Sequence, residues 1–479
     1  MNPTPTDIPL CVDLDNTLVR TNTLAETIVG CVRQNPAWIF LVPFWALRGQ
    51  AYLWSTMVAK FRPSASTLPY SEPVLDLIRR EAAAGRTVLL VTGAHERMAQ
   101  DVASHVGLFH EVFATNGSEH LVGSSKAGML TARFGVKGFD YIGDSMNDMA
   151  AFRNCRQAYV ASSSARLDHQ LKRASITAVF LRPEVPPKRW LGLLKAVRPK
   201  QWVKNVLVFV PVLLGHRFTD LGAVLNSTFT FGLLCLASSA VYLLNDVVDM
   251  EADRQHHTKQ RRPFASGTLS VQTGVMVALV LAVLAVGLGW LVTPAVSMVL
   301  AFYLAGTMLY SVWLKRLLII DMVMLASFYV LRVYLGSAAT GIHISSWTAL
   351  FCLFIFSGLA AVKRYAELYN RAAQSSNTSN RRAYLPEDAA PLLAIGTSSF
   401  VGAIIALGLY LGSPDVRGLY HRPDLLWLVC PIMLGWTGRL WILGHRGELR
   451  DEDPVAFALR DRWSHGAVIL TALIFVLAL

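Results

Sequence analysis

The stretch NDVVDMEADRQHHTKQRRP, residues 245–263, follows a run, SSAVYLL, that is too apolar to be anything but buried. Within it Asp246, Asp249 and Asp253 are spaced i, i+3 and i+7, which on a helix puts three carboxylates on one face. Crowded like charges repel one another, and a bound divalent cation removes that repulsion. Oxygen-rich clusters suit Mg2+, above all where substrate phosphates complete its coordination. Arg254, His256, His257, Lys259, Arg261 and Arg262 come next, and such side chains bind phosphate. Acid for a metal, then base for a phosphate, at the end of an apolar segment implies chemistry on a diphosphate. The structural alternative is a helix cap followed by a solvated charge run. Carboxylates aligned beside a hydrophobic span are rare in such roles.

The chain around this stretch has a membrane composition. Of its 479 residues 53% are hydrophobic and 16% charged, and the mean hydropathy of +0.41 exceeds that of ordinary soluble proteins. From about residue 205 apolar segments of near-membrane length succeed one another. They predict about nine spans, at 205–222, 227–247, 270–292, 294–312, 317–339, 346–366, 391–412, 424–444 and 464–479. Lys188, Arg189, Lys195, Arg198, Lys200 and Lys204 precede the first span. The loops after the even-numbered spans carry Arg254 to Arg262, Lys315 and Arg316, Lys363 to Arg382, and Arg446 to Arg462. The opposite loops carry Arg217, Arg417 and Arg422. Lysine and arginine mark the inner side, so the expectation is a multi-pass protein of a bacterial-type inner membrane with its N-terminal domain in the cytoplasm. The net charge of +12 then reflects inner loops facing anionic lipid and phosphate. No nucleic-acid motif occurs, and the N-terminus lacks a secretory signal. The six cysteines form no CxxC pair, which fits core thiols in a reducing compartment.

Other charged segments share the inner side with the aspartates. RPKQWVKN (198–205) supplies Lys204, and KRYAEL (363–368) supplies Lys363, Tyr365 and Glu367. Singly, each reads as a positive-inside anchor. Together, around Asn245 and the three aspartates, they read as the lining of a phosphate-binding cavity.

Ahead of the membrane half lies a different kind of sequence. An apolar run at 8–12 ends in Asp13-Leu14-Asp15-Asn16-Thr17, TVLLV at 87–91 ends in Thr92-Gly93, and residues 139–142 end in Gly143-Asp144-Ser145-Met146-Asn147-Asp148. Lys126 lies between the second and third runs. Buried strands that end in polar loops predict an α/β sheet with a site at the strands' C-terminal ends. There Asp13, Asp15, Thr92, Lys126, Asp144 and Asp148 would meet. Residues 36–49, PAWIFLVPFWALRG, are too short to span a bilayer. They are either a helical cap or a hairpin resting on the membrane, and the aromatics Trp38, Phe40, Phe44, Trp45, Tyr52 and Trp54 favour the membrane. AYVAS (158–162) reads as a strand, 163–174 as a helix, and VFLRPEVPPKRW (179–190) as a linker. The expected domains are residues 1–180 with a cap at about 21–87, a linker and basic segment at 181–204, and a membrane domain at 205–479.

The four motifs of the first third, in order, resemble the haloacid dehalogenase superfamily, specifically its phosphoserine-phosphatase-like members. The resemblance implies a Rossmann-like fold in which Asp13 is the nucleophile that becomes an aspartyl phosphate and Asp15 is the acid and later the base. It implies that Thr92, Gly93 and Lys126 bind the phosphoryl oxygens. Asp144 would hold Mg2+ with Asp13 and the Asp15 carbonyl, and Asp148 would support that shell.

The membrane half resembles the UbiA superfamily of intramembrane prenyltransferases, whose first motif is NDxxDxxxD. A second aspartate pair, typical after the sixth span, is replaced here by KRYAEL. That departure, with RPKQWVKN and ALRDR, is similar to decaprenyl-phosphate phosphoribosyltransferases. By that resemblance Asp246, Asp249 and Asp253 hold Mg2+ and the pyrophosphate or ribose, and Arg254, Lys259, Arg262, Lys204 and Lys363 hold phosphates, with Tyr365 and Glu367 beside them. The implied substrates are phosphoribosyl pyrophosphate and a polyprenyl phosphate, and the phosphatase domain would remove the 5-phosphate of the product. The alternatives are an aromatic prenyltransferase using a prenyl diphosphate, and a non-enzymatic lipid-binding scaffold.

Overall fold

The computed structural model describes residues 8–116, 121–161, 164–181, 189–374, 384–449 and 457–479. The proline-rich part of the expected linker, the basic residues Arg381 and Arg382, and Arg450 lie outside the described residues. By internal contact the chain forms two compact units. One comprises Met1–Arg198 with Tyr242–Leu279, the other Pro199–Val241 with Val280–Leu479.

The first unit is built on a parallel sheet of six strands, β1 (Leu10–Val12), β2 (Val88–His95), β3 (Glu111–Thr115), β4 (Asp140–Gly143), β5 (Ala158–Val160) and β6 (Ala178–Phe180). Their order across the sheet is β3-β2-β1-β4-β5-β6. Alternation along the strands sends Leu10, Val12, Val88 and Leu90 into one buried cluster and Cys11, Leu89, Val91 and Tyr141 into another on the opposite face. A parallel sheet needs both faces covered. The helices that cover it are α4 (Glu72–Ala83), α5 (Glu96–Val106), α6 (Ser124–Phe134), α7 (Met149–Asn154) and α8 (Ala165–Arg173). Two strands escaped sequence reading. β3 is short and polar at its start, and β6 lies in the stretch expected to be linker, where it pairs with β5.

Between β1 and α4 the cap consists of α1 (Thr23–Gln34), α2 (Trp38–Leu47) and α3 (Gln50–Lys60). It ends earlier than the expected residue 87 because α4 packs on the sheet. Asn22 caps α1 by accepting from the Ala25 amide, as short polar side chains do at helix starts. Trp38, Val42 and Trp45 of α2 pack toward Cys31, Leu53 and Met57. The rest of that helix faces outward, with Phe40 75% and Leu47 85% exposed.

The helices that follow are α9 (Arg189–Ala196), α10 (Val210–Leu214), α11 (Leu221–Arg254), α12 (Val271–Gly289), α13 (Pro294–Val312), α14 (Ile320–Thr340), α15 (Ser346–Gln374), α16 (Ala389–Leu411), α17 (Pro414–Arg417), α18 (Val429–His445) and α19 (Arg462–Ala478). Among the described residues seven helices are long and apolar enough to cross a membrane, rather than the nine expected. The expected first span is a 3-10 run, Pro199–Phe209, followed by the five residues of α10. Pro211 lacks the N–H a continuing helix needs, and His216 takes a φ of 50°. The expected last span is α19, which has 17 residues.

Packing in the second unit depends on small residues. A Cβ on Gly336 would lie 2.0 Å from the Val208 carbonyl oxygen, and one on Gly396 2.2 Å from the Trp441 ring. Close helix approach of this kind is how membrane helices gain contact area. The outward positions, such as Val283, Leu291 and Met298, are exposed and apolar, as lipid-facing positions are.

Candidate active sites

The strand register builds the first site. Val12 pairs with both Leu90 and Ile142, so the residues just past them, Asp13, Val91-Thr92 and Gly143-Asp144, emerge side by side. In this strand order β1 and β4 flank the point where the sheet reverses its winding, and ligands of open α/β sheets bind in that crevice. Lys126, from the first turn of α6, reaches it and donates to Asp13 Oδ1 at 2.8 Å, to the Tyr141 hydroxyl at 2.9 Å and to Asp148 Oδ1 at 3.3 Å. Tyr141 donates to Asp148 Oδ1 at 2.7 Å, and the Ser145 amide and hydroxyl donate to Asp148 Oδ2. Asp15 accepts the Thr23 amide at 2.8 Å. The Thr92 hydroxyl accepts the Ala94 amide at 3.0 Å. A side chain at Gly93 would meet Val122 at 2.7 Å, so glycine is what lets Leu121-Val122 pack against the end of β2.

Among the described residues Asp13, Asp144 and Asp148 form the one group of three metal-type ligands, with ligand atoms within 4.8 Å of one another. Burial pushes Asp13 up to about 7, with Lys126 opposing and Asp148 reinforcing the shift. Burial likewise pushes Asp144 up to about 8, helped by Asp148 and Asp13. Carboxylates that are expensive to ionise together are what a divalent cation relieves, and an all-oxygen donor set suits Mg2+. Burial raises Asp15 to about 6, against the Thr23 hydrogen bond. A carboxyl group near neutrality can both give and take a proton. Of the six residues expected at this site, Asp13, Lys126, Asp144 and Asp148 are brought together by these contacts, while Asp15 and Thr92 follow the ends of β1 and β2 with partners of their own. Tyr141 and Ser145 are the additions. Ser145 was visible beside Asp144, whereas Tyr141 looked like strand core.

The second site lies at the end of α11. Asp246 and Asp253 are buried. One nitrogen, Arg262 Nη1, bridges them, at 3.2 Å from Asp246 Oδ1 and 2.7 Å from Asp253 Oδ2. Arg198 also donates to Asp246, with its guanidinium 5.2 Å from the centre of the Tyr242 ring. The aspartate face is thus an alternation of acid and guanidinium, with Asn245 and Asp249 on the same turns of α11. Two carboxylates converging on one cationic nitrogen are a donor set that also fits a metal ion. Lys259 is exposed in a 3-10 turn, Lys259–Arg261.

Arg254, expected on phosphate, is turned elsewhere. Its guanidinium donates to both Glu26 oxygens, at 2.8 and 2.6 Å, and to the Ala265 carbonyl. Arg198 and Glu26 were missed as site residues, although Arg198 opens the RPKQWVKN segment already singled out.

In the second unit Glu367 accepts Arg364 at 3.1 Å, and Arg364 also binds the buried Asp321. The Tyr365 hydroxyl lies 2.8 Å from His445 Nδ1. Lys204 is on the 3-10 run and Lys363 on α15. A buried arginine, Arg332, donates to Asn205, to the Phe328 carbonyl and to the Tyr303 hydroxyl. Ionisable groups inside a span are rare and mark function when they occur. Nothing but its place in an apolar run flagged Arg332 beforehand.

Residues 208–441 match the UbiA prenyltransferase family and residues 10–153 match the haloacid dehalogenase-like hydrolases. An uncharacterized protein of Sinorhizobium fredii, y4nM, is 36% identical over 98% of this chain and 91% of its own length. Decaprenyl-phosphate phosphoribosyltransferase of Mycobacterium tuberculosis is 35% identical over 47% of this chain and 75% of its own length. A UbiA homolog from Archaeoglobus fulgidus, solved with DMAPP and Mg2+, aligns with a TM-score of 0.46 and 14% identity, over 60% of this chain and 96% of that one.

Proposed function

This chain belongs to the UbiA prenyltransferase family through its membrane half and carries a haloacid dehalogenase-like hydrolase domain ahead of it, and from that premise we propose a two-step enzyme acting on a polyprenyl phosphate. The first step transfers phosphoribosyl from phosphoribosyl pyrophosphate to the lipid phosphate. The second hydrolyses the 5-phosphate of the product. The observation that carries the reading is the acid–guanidinium cluster of Asp246, Asp253, Arg262 and Arg198 at the end of an apolar helix. It offers carboxylates for a metal and guanidinium groups for pyrophosphate in one place.

In the transfer step the bond from the anomeric carbon to pyrophosphate breaks, and pyrophosphate leaves with the electron pair. Arg198, Arg262 and Lys259 stabilise that departing charge. An oxygen of the lipid phosphate forms the new bond. The acceptor is already an anion, so no strong base is needed. Asp246, Asp249 and Asp253 would hold Mg2+, which neutralises phosphate charge when bound.

In the hydrolytic step the Asp13 carboxylate attacks phosphorus and becomes an aspartyl phosphate. Asp15 gives its proton to the departing ribose oxygen, then takes one from the water that releases phosphate. Lys126, Thr92 and Gly93 receive the phosphoryl oxygens. The basic loops support an inner-membrane protein with the hydrolase in the cytoplasm. The resemblance of the membrane half to named phosphoribosyltransferases favours this donor over a prenyl diphosphate.

The test uses purified protein, Mg2+, polyprenyl phosphate and phosphoribosyl pyrophosphate labelled in its 5-phosphate, with the lipid product weighed by mass spectrometry. Wild type is expected to yield polyprenyl-phosphoryl ribose and labelled phosphate. Asp13→Asn is expected to stop at the labelled, phosphorylated lipid. If both proteins give the same phosphorylated lipid, the hydrolytic assignment fails. Transfer of a labelled prenyl group to an aromatic acceptor instead would replace the whole reading.

A further inference from the structure

Three contacts inside the first unit tie the cap helix α1 to the segment that carries the aspartate cluster. Glu26 in its first turn and Arg254 form a two-pronged ion pair whose side chains are 2% and 6% exposed. Arg33 in its last turn meets Glu251 at 3.1 Å. Gly267, at a φ of 70°, approaches the chain just before α1 so closely that a Cβ would lie 2.6 Å from the Arg20 carbonyl oxygen.

The same helix also positions the phosphatase acid. Asp15 accepts the amide of Thr23, the first residue of α1. Glu26 stands one turn further along, so the ion pair with Arg254 anchors the turn that orients Asp15. We propose that Glu26 and Arg254 are a positioning pair that makes α1 a shared element of both sites. Arg254, adjacent in sequence to Asp253, holds the phosphatase cap in its working place. Glu26 in turn holds Arg254 off the pyrophosphate cluster and leaves the Asp246–Asp253 bridge to Arg262. Through this pair a disturbance beside the Asp246–Asp253 bridge reaches the turn that orients Asp15.

The test needs no membrane substrate, so it stands apart from the choice of donor. Hydrolysis of p-nitrophenyl phosphate by the whole chain with Mg2+ reads the phosphatase alone. Small misplacements of catalytic groups act on the chemical step, so Arg254→Ala and Glu26→Ala are each expected to lower kcat by about 10- to 100-fold with little change in KM. The double variant should be no slower than either single one, because both remove one interaction. The exchange of partners, Glu26→Arg with Arg254→Glu, should recover most of the loss. A purely structural tie would lower the melting temperature and leave kcat of the folded protein unchanged. That result, or losses that multiply in the double variant, overturns the proposal. Should the alanine variants not fold, Glu26→Gln and Arg254→Lys decide it by the same two readouts.

Discussion

Asp140 opens β4 beneath the phosphatase crevice and is fully buried. Arg86 donates to it, and Arg156 Nη2 donates to Asp140 Oδ2 at 2.7 Å. Burial works against its ionisation, but the hydrogen bonds and charges of Arg156 and Arg86 outweigh it and lower its pKa. A carboxyl with a depressed folded pKa stabilises the fold fully above its unfolded value of about 4, and the contribution fades as pH falls from there through the folded value. Asp140→Asn takes one anion from the buried Arg86, which keeps Glu81, and the anion from the partly exposed Arg156, so it is expected to destabilise this unit by about 3 kcal/mol at pH 7. Melting curves from pH 3 to 7 should show the variant losing the acid-dependent part of the stability. An equal fall with acid in variant and wild type would refute this role. The candidate site residues Asp13, Thr92 and Asp144 were readable because each lies at the end of an apolar run. The partners that orient them were not. Tyr141 differs from a core phenylalanine only in a hydroxyl, and Glu26 and Arg254 are separated by 228 positions.

At the scale of elements, α2 is the informative case. It is apolar all round, yet only the Trp38–Val42–Trp45 side is packed on its neighbours. Lys60 lies over the Trp38 ring, 4.6 Å from its centre, which sets a cation on an aromatic face. That combination suits the boundary between headgroups and acyl chains. Each exposed phenylalanine that enters an apolar phase contributes about 1.5–3 kcal/mol. Phe40→Asp with Phe44→Asp is therefore expected to slow dephosphorylation of a polyprenyl-linked substrate in vesicles by 10-fold or more. Turnover of soluble p-nitrophenyl phosphate should stay within about 2-fold, since neither side chain lies in the crevice. Loss of both activities, or of neither, would count against a lipid-facing cap. The aromatic content of this hairpin was legible. The boundaries of the first span were not, because hydropathy does not register the 3-10 winding at Pro199–Phe209 or the break at His216. β6 was hidden for a related reason: three residues beside a proline-rich stretch look like linker until β5 is there to pair with them.

For the whole molecule, the hydrolase and transferase domains share one chain, and in the proposed two-step reading that raises the effective concentration of one site around the product of the other. This predicts a complementation result. Asp13→Asn and Asp249→Asn proteins, mixed in vesicles with both substrates, should together form the dephosphorylated lipid. The mixture should slow as the proteins are diluted in lipid, whereas wild type should keep its rate per molecule. A mixture as fast as wild type at every dilution would mean that the fusion confers no kinetic advantage. The division into an α/β part and a membrane half was apparent from the lengths of the apolar runs, and the hydrolase and transferase readings came from motifs that resemble known families. The grouping of Tyr242–Leu279 with the N-terminal domain was not. It rests on contacts such as Arg33–Glu251 and Gly267–Arg20, which join distant parts of the chain and leave no periodic trace.

The bidentate pair of Glu26 and Arg254 also bears on how the protein can be taken apart. A gene cut at the proline-rich junction would yield a membrane fragment whose Arg254 has lost its carboxylate, and an N-terminal fragment with an acid stranded in its cap. Natural or laboratory splitting of this chain would then call for a compensating change at one of those two positions. The boundary visible in the sequence is a poor place to cut.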